Sequence, residues 1–188
     1  MIYCILGSMR RLFIAAPLPE NILNICLQAQ KDLNILYGDK IRLTPKNQLH
    51  ITLAFLGEVD DNDIQNIDKS ITGMRGWGNV VVELSHLNGF PHPSATRIIV
   101  IDLIDKPGQT LTALALNLRS LLRSEKIRYD HKPWRSHITI ARARQTVFLK
   151  KINLINDEFE INDILLMESR LSGLGPTYFI LNKYELIP

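Results

Sequence analysis

"LHITLAFLG" occupies residues 49–57 and "SHITIARAR" residues 136–144, so His-Ile-Thr followed by an apolar residue and Ala occurs twice, 137 − 50 = 87 positions apart. In an extended strand, residues i and i+2 share a face. His50 therefore projects with Thr52, and His137 with Thr139, while Ile51, Leu53, Ile138 and Ile140 turn to the opposite, core face. An ordinary half-buried strand needs only some neutral polar residue on its wet side. Imidazole beside hydroxyl, in both copies, is a narrower choice. Either two buried strands echo each other by chance, or one site is assembled from two similar halves.

The surrounding sequence favours the second explanation. Runs rich in β-branched and aromatic residues mark strands at 11–16, 49–56, 79–87, 96–103, 136–142, 161–170 and 177–186. Three helical patterns lie between them. Residues 19–37 carry Ile22, Cys26, Ala29, Leu33 and Leu36 at three-to-four spacing. Residues 60–73 open on the acidic Asp60-Asp61-Asn62-Asp63, suited to a helix N-terminus, and carry Ile64, Ile67 and Ile71. A third helix follows Pro107-Gly108 with Leu111, Leu114, Leu118 and Leu121. The order β-α-β-α-β-β-α-β-β-β implies an α+β fold with a mostly antiparallel sheet. A helix precedes each His-Ile-Thr strand, so the repetition covers supersecondary structure as well as five letters. Two pseudo-symmetric lobes facing one another across a central cleft, helices outside, are the expected architecture.

Composition narrows the class. A chain of 188 residues, 46% hydrophobic and 22% charged, is expected to form one domain over 1–188 with its own core. Residues 1–9 read as an N-terminal extension, because the strand-like "RLFIAAPLP" starts directly after Met9. They lack the basic n-region of a signal peptide, and no apolar run approaches the ~18–20 residues that cross a bilayer, so no membrane partner and a cytoplasmic location are expected. Cys4 and Cys26, without a CxxC, argue against a disulfide framework and read as reduced, apolar thiols. The net charge of +3 suits an anionic ligand.

The paired motif suits a phosphoryl centre. Histidine exchanges a proton near neutral pH, and a threonine hydroxyl can donate to a non-bridging phosphate oxygen. In-line displacement at phosphorus puts the attacking and leaving oxygens on opposite sides, so a base is wanted on one side and an acid on the other. Two facing histidines supply both without a metal or other cofactor. A zinc site, which takes three protein ligands, would need a third from His86, His92 or His131, none at a ligand spacing. Arg142 could offset charge on the phosphate. It lies five residues beyond His137, so strict alternation turns it away, and its use requires a bulge, a twist or the strand's end.

These residues resemble the signature of the 2H phosphoesterase superfamily, and within it the LigT-like RNA 2′,3′-cyclic phosphodiesterases, also called 2′-5′ RNA ligases. The likeness runs through "RLFIAAPLP", "PKNQLHITLAFLGEV", "LNGFPHPSATRIIVID", "SHITIARAR" and "LMESRLSGLGPTYFIL". It implies a bilobal α+β fold and metal-independent hydrolysis of RNA or nucleoside 2′,3′-cyclic phosphate to a 2′-phosphate. By the same resemblance His50 is the proton donor to the leaving 3′-oxygen and His137 the proton acceptor from water. Thr52, Thr139 and Arg142 are then substrate-binding. The implied partners are RNA ends or 2′,3′-cyclic nucleotides, met by a monomer without a cofactor. Joining of RNA ends through a 2′-5′ linkage, and a binding module without turnover, stay as alternatives. Two positions depart from the family pattern: Ser136 stands where proline commonly precedes the second histidine, and Ile98-Ile99-Val100 replaces a strand that often carries an aromatic.

Between Arg119 and Lys151 ten basic residues face two acidic ones, Glu125 and Asp130, a local asymmetry fitting an RNA backbone. Phe55, His131 and Trp134 are candidates to stack on a base.

Overall fold

In a computed structural model, residues 8–108, 110–173 and 175–186 are described. Cys4 and residues 1–7 of the expected extension lie outside them, and Met9 already opens the first strand. Among the described residues stand nine strands and three α-helices: β1 (Met9–Ala16), α1 (Glu20–Tyr37), β2 (Ile41–Leu43), β3 (Ile51–Asp60), α2 (Ile64–Thr72), β4 (Val80–Phe90), β5 (Thr96–Asp105), α3 (Leu111–Ser124), β6 (His137–Val147), β7 (Glu158–Ile161), β8 (Asp163–Ser172) and β9 (Gly175–Glu185). Among the described residues, no helix is long and apolar enough to cross a membrane.

The sheet order β7-β4-β5-β6-β3-β1-β8-β9, with every pairing antiparallel, divides at its centre. β3 and β6 meet at a single pair, Ile51 with Ile138, and diverge on either side of it. On one side stand β6, β5, β4 and β7, with β2 added against β6; on the other stand β3, β1, β8 and β9. The halves repeat: β1-α1-β3 corresponds to β5-α3-β6, and each His-Ile-Thr strand borders the seam. The single pair is enough because the helices cross it. α1 packs on β2 and β6, and α3 on β3 and β4.

The core lies between the sheet's convex face and the helices. Ile51, Leu53, Ile138 and Ile140 are all 0% exposed there, joined by Ile22, Cys26, Ala29 and Leu33 of α1 and Leu111, Leu114 and Leu118 of α3. Burying each large aliphatic side chain contributes roughly 1.5–3 kcal/mol. Burial also pushes the Cys26 thiol up to about 12, so it stays a protonated apolar group.

Four local readings differ from the sequence pattern. β2 is only three residues long, too short for a periodicity to reveal. The expected strand 161–170 is two strands broken at Asn162. Leu36 is exposed, the last turn of α1 presenting Tyr37 to the core instead. Leu122 replaces Leu121 as the fully buried residue at the end of α3.

Candidate active site

The seam opens on the concave face into a cleft of about 520 Å³ that collects His50, Thr52, His137, Thr139 and Arg142, all five of the site residues expected from sequence. Each histidine is anchored alike. His50 Nδ1 donates to the Gln48 carbonyl at 2.7 Å, and His137 Nδ1 donates to the Arg135 carbonyl at 2.9 Å. Each carbonyl lies two residues before its histidine. Since a carbonyl only accepts, the proton of each neutral imidazole is held on Nδ1, which leaves Nε2 for chemistry. Nε2 of His50 accepts from the Thr52 hydroxyl at 3.0 Å.

The two rings differ in surroundings. His50 sits between Phe13 (centroids 5.0 Å) and Tyr178 (5.6 Å), on a small apolar cluster that Phe13 and Ala15 form with Leu165 and Met167. Removal from water disfavours the cation, and His50 is lowered to about 4, opposed by its bond to the Gln48 carbonyl and assisted by nearby His137. His50 is therefore neutral in the free protein at pH 7. His137 is half-buried with Phe90 edge-on at 5.4 Å, and Arg135 lies over the far ring of that pair at 5.6 Å.

Arg142 reaches the cleft through a bulge. Val100 pairs with Thr139 and Ile99 with Ala141, so Ile140 is an extra residue on β6 and the alternation resets after it. β3 carries the same device: Ala15 pairs with Thr52 and Ile14 with Ala54, which leaves Leu53 over. Both bulges fall three residues after the histidine, and both bring the fifth residue, Phe55 or Arg142, onto the cleft face.

Each bulged carbonyl is bonded by a helix. Gln30 of α1, only 4% exposed, donates through Nε2 to Ile140 O and to Thr44 O, both at 2.7 Å. Arg119 of α3 donates through Nε to Leu53 O at 3.1 Å and through Nη1 to Lys132 O at 3.2 Å. Thr44 and Lys132 belong to the segments leading into the two motifs. Each helix side chain thus ties the bulge of the opposite half to the entry of its neighbour. Sequence reasoning missed Gln30, for which a polar residue within an otherwise apolar helix stripe was the available signal, and read Arg119 as part of the basic run and not as a support for the bulge.

A second cavity of about 310 Å³ adjoins the cleft at Thr52, Phe55 and His137, and continues between Phe90, Arg119, Lys132, Trp134 and Arg135. The segment before β6 is pinned along β3: Asp130 N donates to Phe55 O at 2.8 Å, and Trp134 Nε1 to Thr52 O at 2.9 Å. Trp134 is half-buried and braces this segment. Of the other stacking candidates, Phe55 faces both cavities, whereas His131 stacks on Tyr129 at 4.8 Å and lines neither. Ser136 donates no side-chain bond, and its backbone carbonyl accepts from Leu103 N. The basic run is divided: Arg142 faces the cleft, Arg119, Lys132 and Arg135 the second cavity, and Arg123 bonds the Tyr129 hydroxyl.

Among the described residues, no three His, Cys, Asp or Glu side chains converge as a metal site, and no carboxylate lines the cleft. Two lobes meeting at paired His-x-Thr strands, their histidines anchored alike over one electropositive cleft, are the architecture of the 2H phosphoesterases. Residues 16–100 match the family model described as LigT like Phosphoesterase. A Thermus thermophilus protein named RNA 2′,3′-cyclic phosphodiesterase is 30% identical over 94% of this chain and 90% of its own length. One of the same name from Archaeoglobus fulgidus is 28% identical over 93% and 99%. The chain belongs to the LigT-like phosphoesterase family. The apo form of Escherichia coli LigT shares the fold at a TM-score of 0.76 and 22% identity, covering 96% of this chain and 99% of that one; it has also been solved complexed with 3′-AMP.

Proposed function

We propose that the protein hydrolyses the 2′,3′-cyclic phosphate of an RNA end or nucleoside to a 2′-phosphate, without a metal. The observation that carries this reading is the pair of anchored histidines, each with Nε2 left for chemistry, over one cleft lined by three arginines and no carboxylate. The naming of the relatives agrees with a cyclic phosphodiesterase, and the 3′-AMP bound by E. coli LigT agrees with a nucleotide ligand.

In the reaction, His137 Nε2 takes a proton from water as the water oxygen bonds to phosphorus. The P–O3′ bond breaks on the opposite side, and His50 Nε2 delivers a proton to the departing 3′-oxygen. Once His50 is protonated its Nε2 no longer accepts from the Thr52 hydroxyl, so Thr52, with Thr139, donates to the non-bridging oxygens, and Arg142 offsets the charge that builds on them. His50 starts neutral, so the donor role requires it to gain a proton as substrate binds. The phosphate anion supplies the reason: placed beside Nε2, it favours the imidazolium. Moving His50 from about 4 to 7 takes about 4 kcal/mol of differential interaction, within reach of charge-assisted hydrogen bonds.

Incubation of the protein with a nucleoside 2′,3′-cyclic phosphate in excess EDTA tests the proposal. A 2′-phosphate product is expected. A 3′-phosphate product, or activity abolished by chelation and restored by a divalent cation, overturns the leaving group or the metal-free route respectively.

A further inference from the structure

The cleft holds more positive charge than one phosphate requires. Arg42, which the motif reading passed over, stands on β2 directly opposite Arg142 of β6, and both side chains line the cleft with the two histidines. Directly opposed residues of an antiparallel pair have Cβ atoms about 5 Å apart, and like charges there work against pairing. A three-residue strand is an unfavourable place for such a pair. The surroundings nonetheless make room for it. Gly175 opens β9 with φ +116°, and a Cβ on it would come within 2.8 Å of Arg42 Nη1 and 3.4 Å of Nη2. Gln48 Nε2 donates to Pro176 O at 2.7 Å, which ties this same turn to the loop entering the first motif. The Arg42 guanidinium therefore spans from β2 to the β8–β9 turn and lies against Gly175. Arg11, the third arginine of the cleft, is turned toward Glu58 at 3.8 Å and over Phe55 at 4.8 Å.

Arg142 lies three residues past Thr139, on the order of 10 Å along the strand. The phosphate held between the two His-x-Thr pairs draws on one guanidinium at most from that distance. The corresponding place in the other half holds Phe55 with the backbone of Asp130, so the doubled charge belongs to one side only. A second phosphate beside Arg42 offsets its repulsion with Arg142 and accepts bidentate hydrogen bonds from its guanidinium fork.

We propose that Arg42 binds a second phosphate of the substrate, the phosphodiester on the 5′ side of the nucleotide that carries the cyclic phosphate, while Arg142 beside it serves the reacting phosphate. The site then selects RNA ends over free cyclic nucleotides, an inference that rests on the phosphodiesterase reading above.

The test compares a nucleoside 2′,3′-cyclic phosphate with a dinucleotide ending in the same cyclic phosphate, for wild type, Arg42→Ala and Arg42→Lys. Wild type is expected to favour the dinucleotide at least tenfold in kcat/KM. Arg42→Ala should collapse that ratio to within twofold of unity, and Arg42→Lys should recover part of it. Equal losses on both substrates, or no dinucleotide preference in wild type, overturn the proposal. A second measurement separates the two readings: inorganic pyrophosphate should raise the melting temperature of wild type more than orthophosphate does, and Arg42→Ala should remove that difference. Wild type that turns over neither substrate defeats the phosphodiesterase reading, and the pyrophosphate measurement then decides for or against Arg42 alone.

Discussion

Replacing Gln30 by Met tests whether the bulge on β6 is held from the helix. The side chain is 4% exposed and donates to Ile140 O and Thr44 O at 2.7 Å each. Ile140 O keeps a second donor in Thr44 N at 2.9 Å, so Met leaves chiefly Thr44 O short of a partner. Two lost hydrogen bonds, one leaving a part-buried acceptor unpaired, cost about 1–3 kcal/mol, and Met fills a similar volume. At roughly 2–4 °C per kcal/mol for a chain of this size, the melting temperature should fall by about 2–12 °C. The greater effect is on chemistry. Without its tie, β6 can return to regular pairing, which turns Arg142 away from the cleft. Losing one donor to a charge that develops in the transition state costs about 10²–10³ in rate, so Arg142→Ala should lower kcat/KM by roughly 100-fold. Gln30→Met should lower it by about tenfold, through partial loss of the same contact. The double variant decides the matter. Acting through Arg142, Gln30→Met adds little to Arg142→Ala, and the combined loss stays near 100-fold. Independent losses that multiply toward 1,000-fold would falsify the link, as would an unchanged kcat/KM in a clearly destabilised Gln30→Met protein.

The lowered His50 leads to three further expectations. Its folded value of about 4 lies below the ordinary 6.5, so the stability it contributes is present above pH 6.5 and lost as pH falls toward 4. Denaturant unfolding should show roughly 2–3 kcal/mol less stability at pH 4.5 than at pH 7, with that part of the loss missing in His50→Gln; identical pH dependence in both proteins speaks against a desolvated His50. Binding of inorganic sulfate, which does not titrate in this range, should tighten between pH 7.5 and 5.5 and take up close to one proton, measured by calorimetry in two buffers of different ionisation enthalpy. Absence of uptake removes the donor role assigned to His50. Finally, a cyclic substrate with sulfur replacing the bridging 3′-oxygen needs little acid assistance. It should restore most of the turnover lost in His50→Ala while leaving His137→Ala impaired, and the opposite pattern exchanges the two roles.

How much of the site could be read in advance depended on the range of the interactions involved. The period-2 alternation of His50/Thr52 and His137/Thr139 is local steric geometry, and so is the burial of Ile51, Leu53, Ile138 and Ile140. Both were legible in two stretches of nine letters. The repeated order of helix and strand then implied two lobes, since a helix must cover one face of the sheet. Alternation also gave the wrong face for Arg142 unless something intervened. That something is a single extra residue, opposed by Ile99 and Val100 and bonded by a glutamine 110 positions away, which no local pattern encodes.

The sequence by itself determined the class of chemistry, because imidazole and hydroxyl on one strand face are set by backbone geometry that every strand shares. Only the tertiary structure decided which cations stand beside that chemistry. Arg42 faces Arg142, Arg119 supports Leu53, and Phe13 with Tyr178 keeps water from His50, through contacts between segments far apart in the chain. Electrostatic and desolvation effects follow distance in space, and folding alone sets those distances.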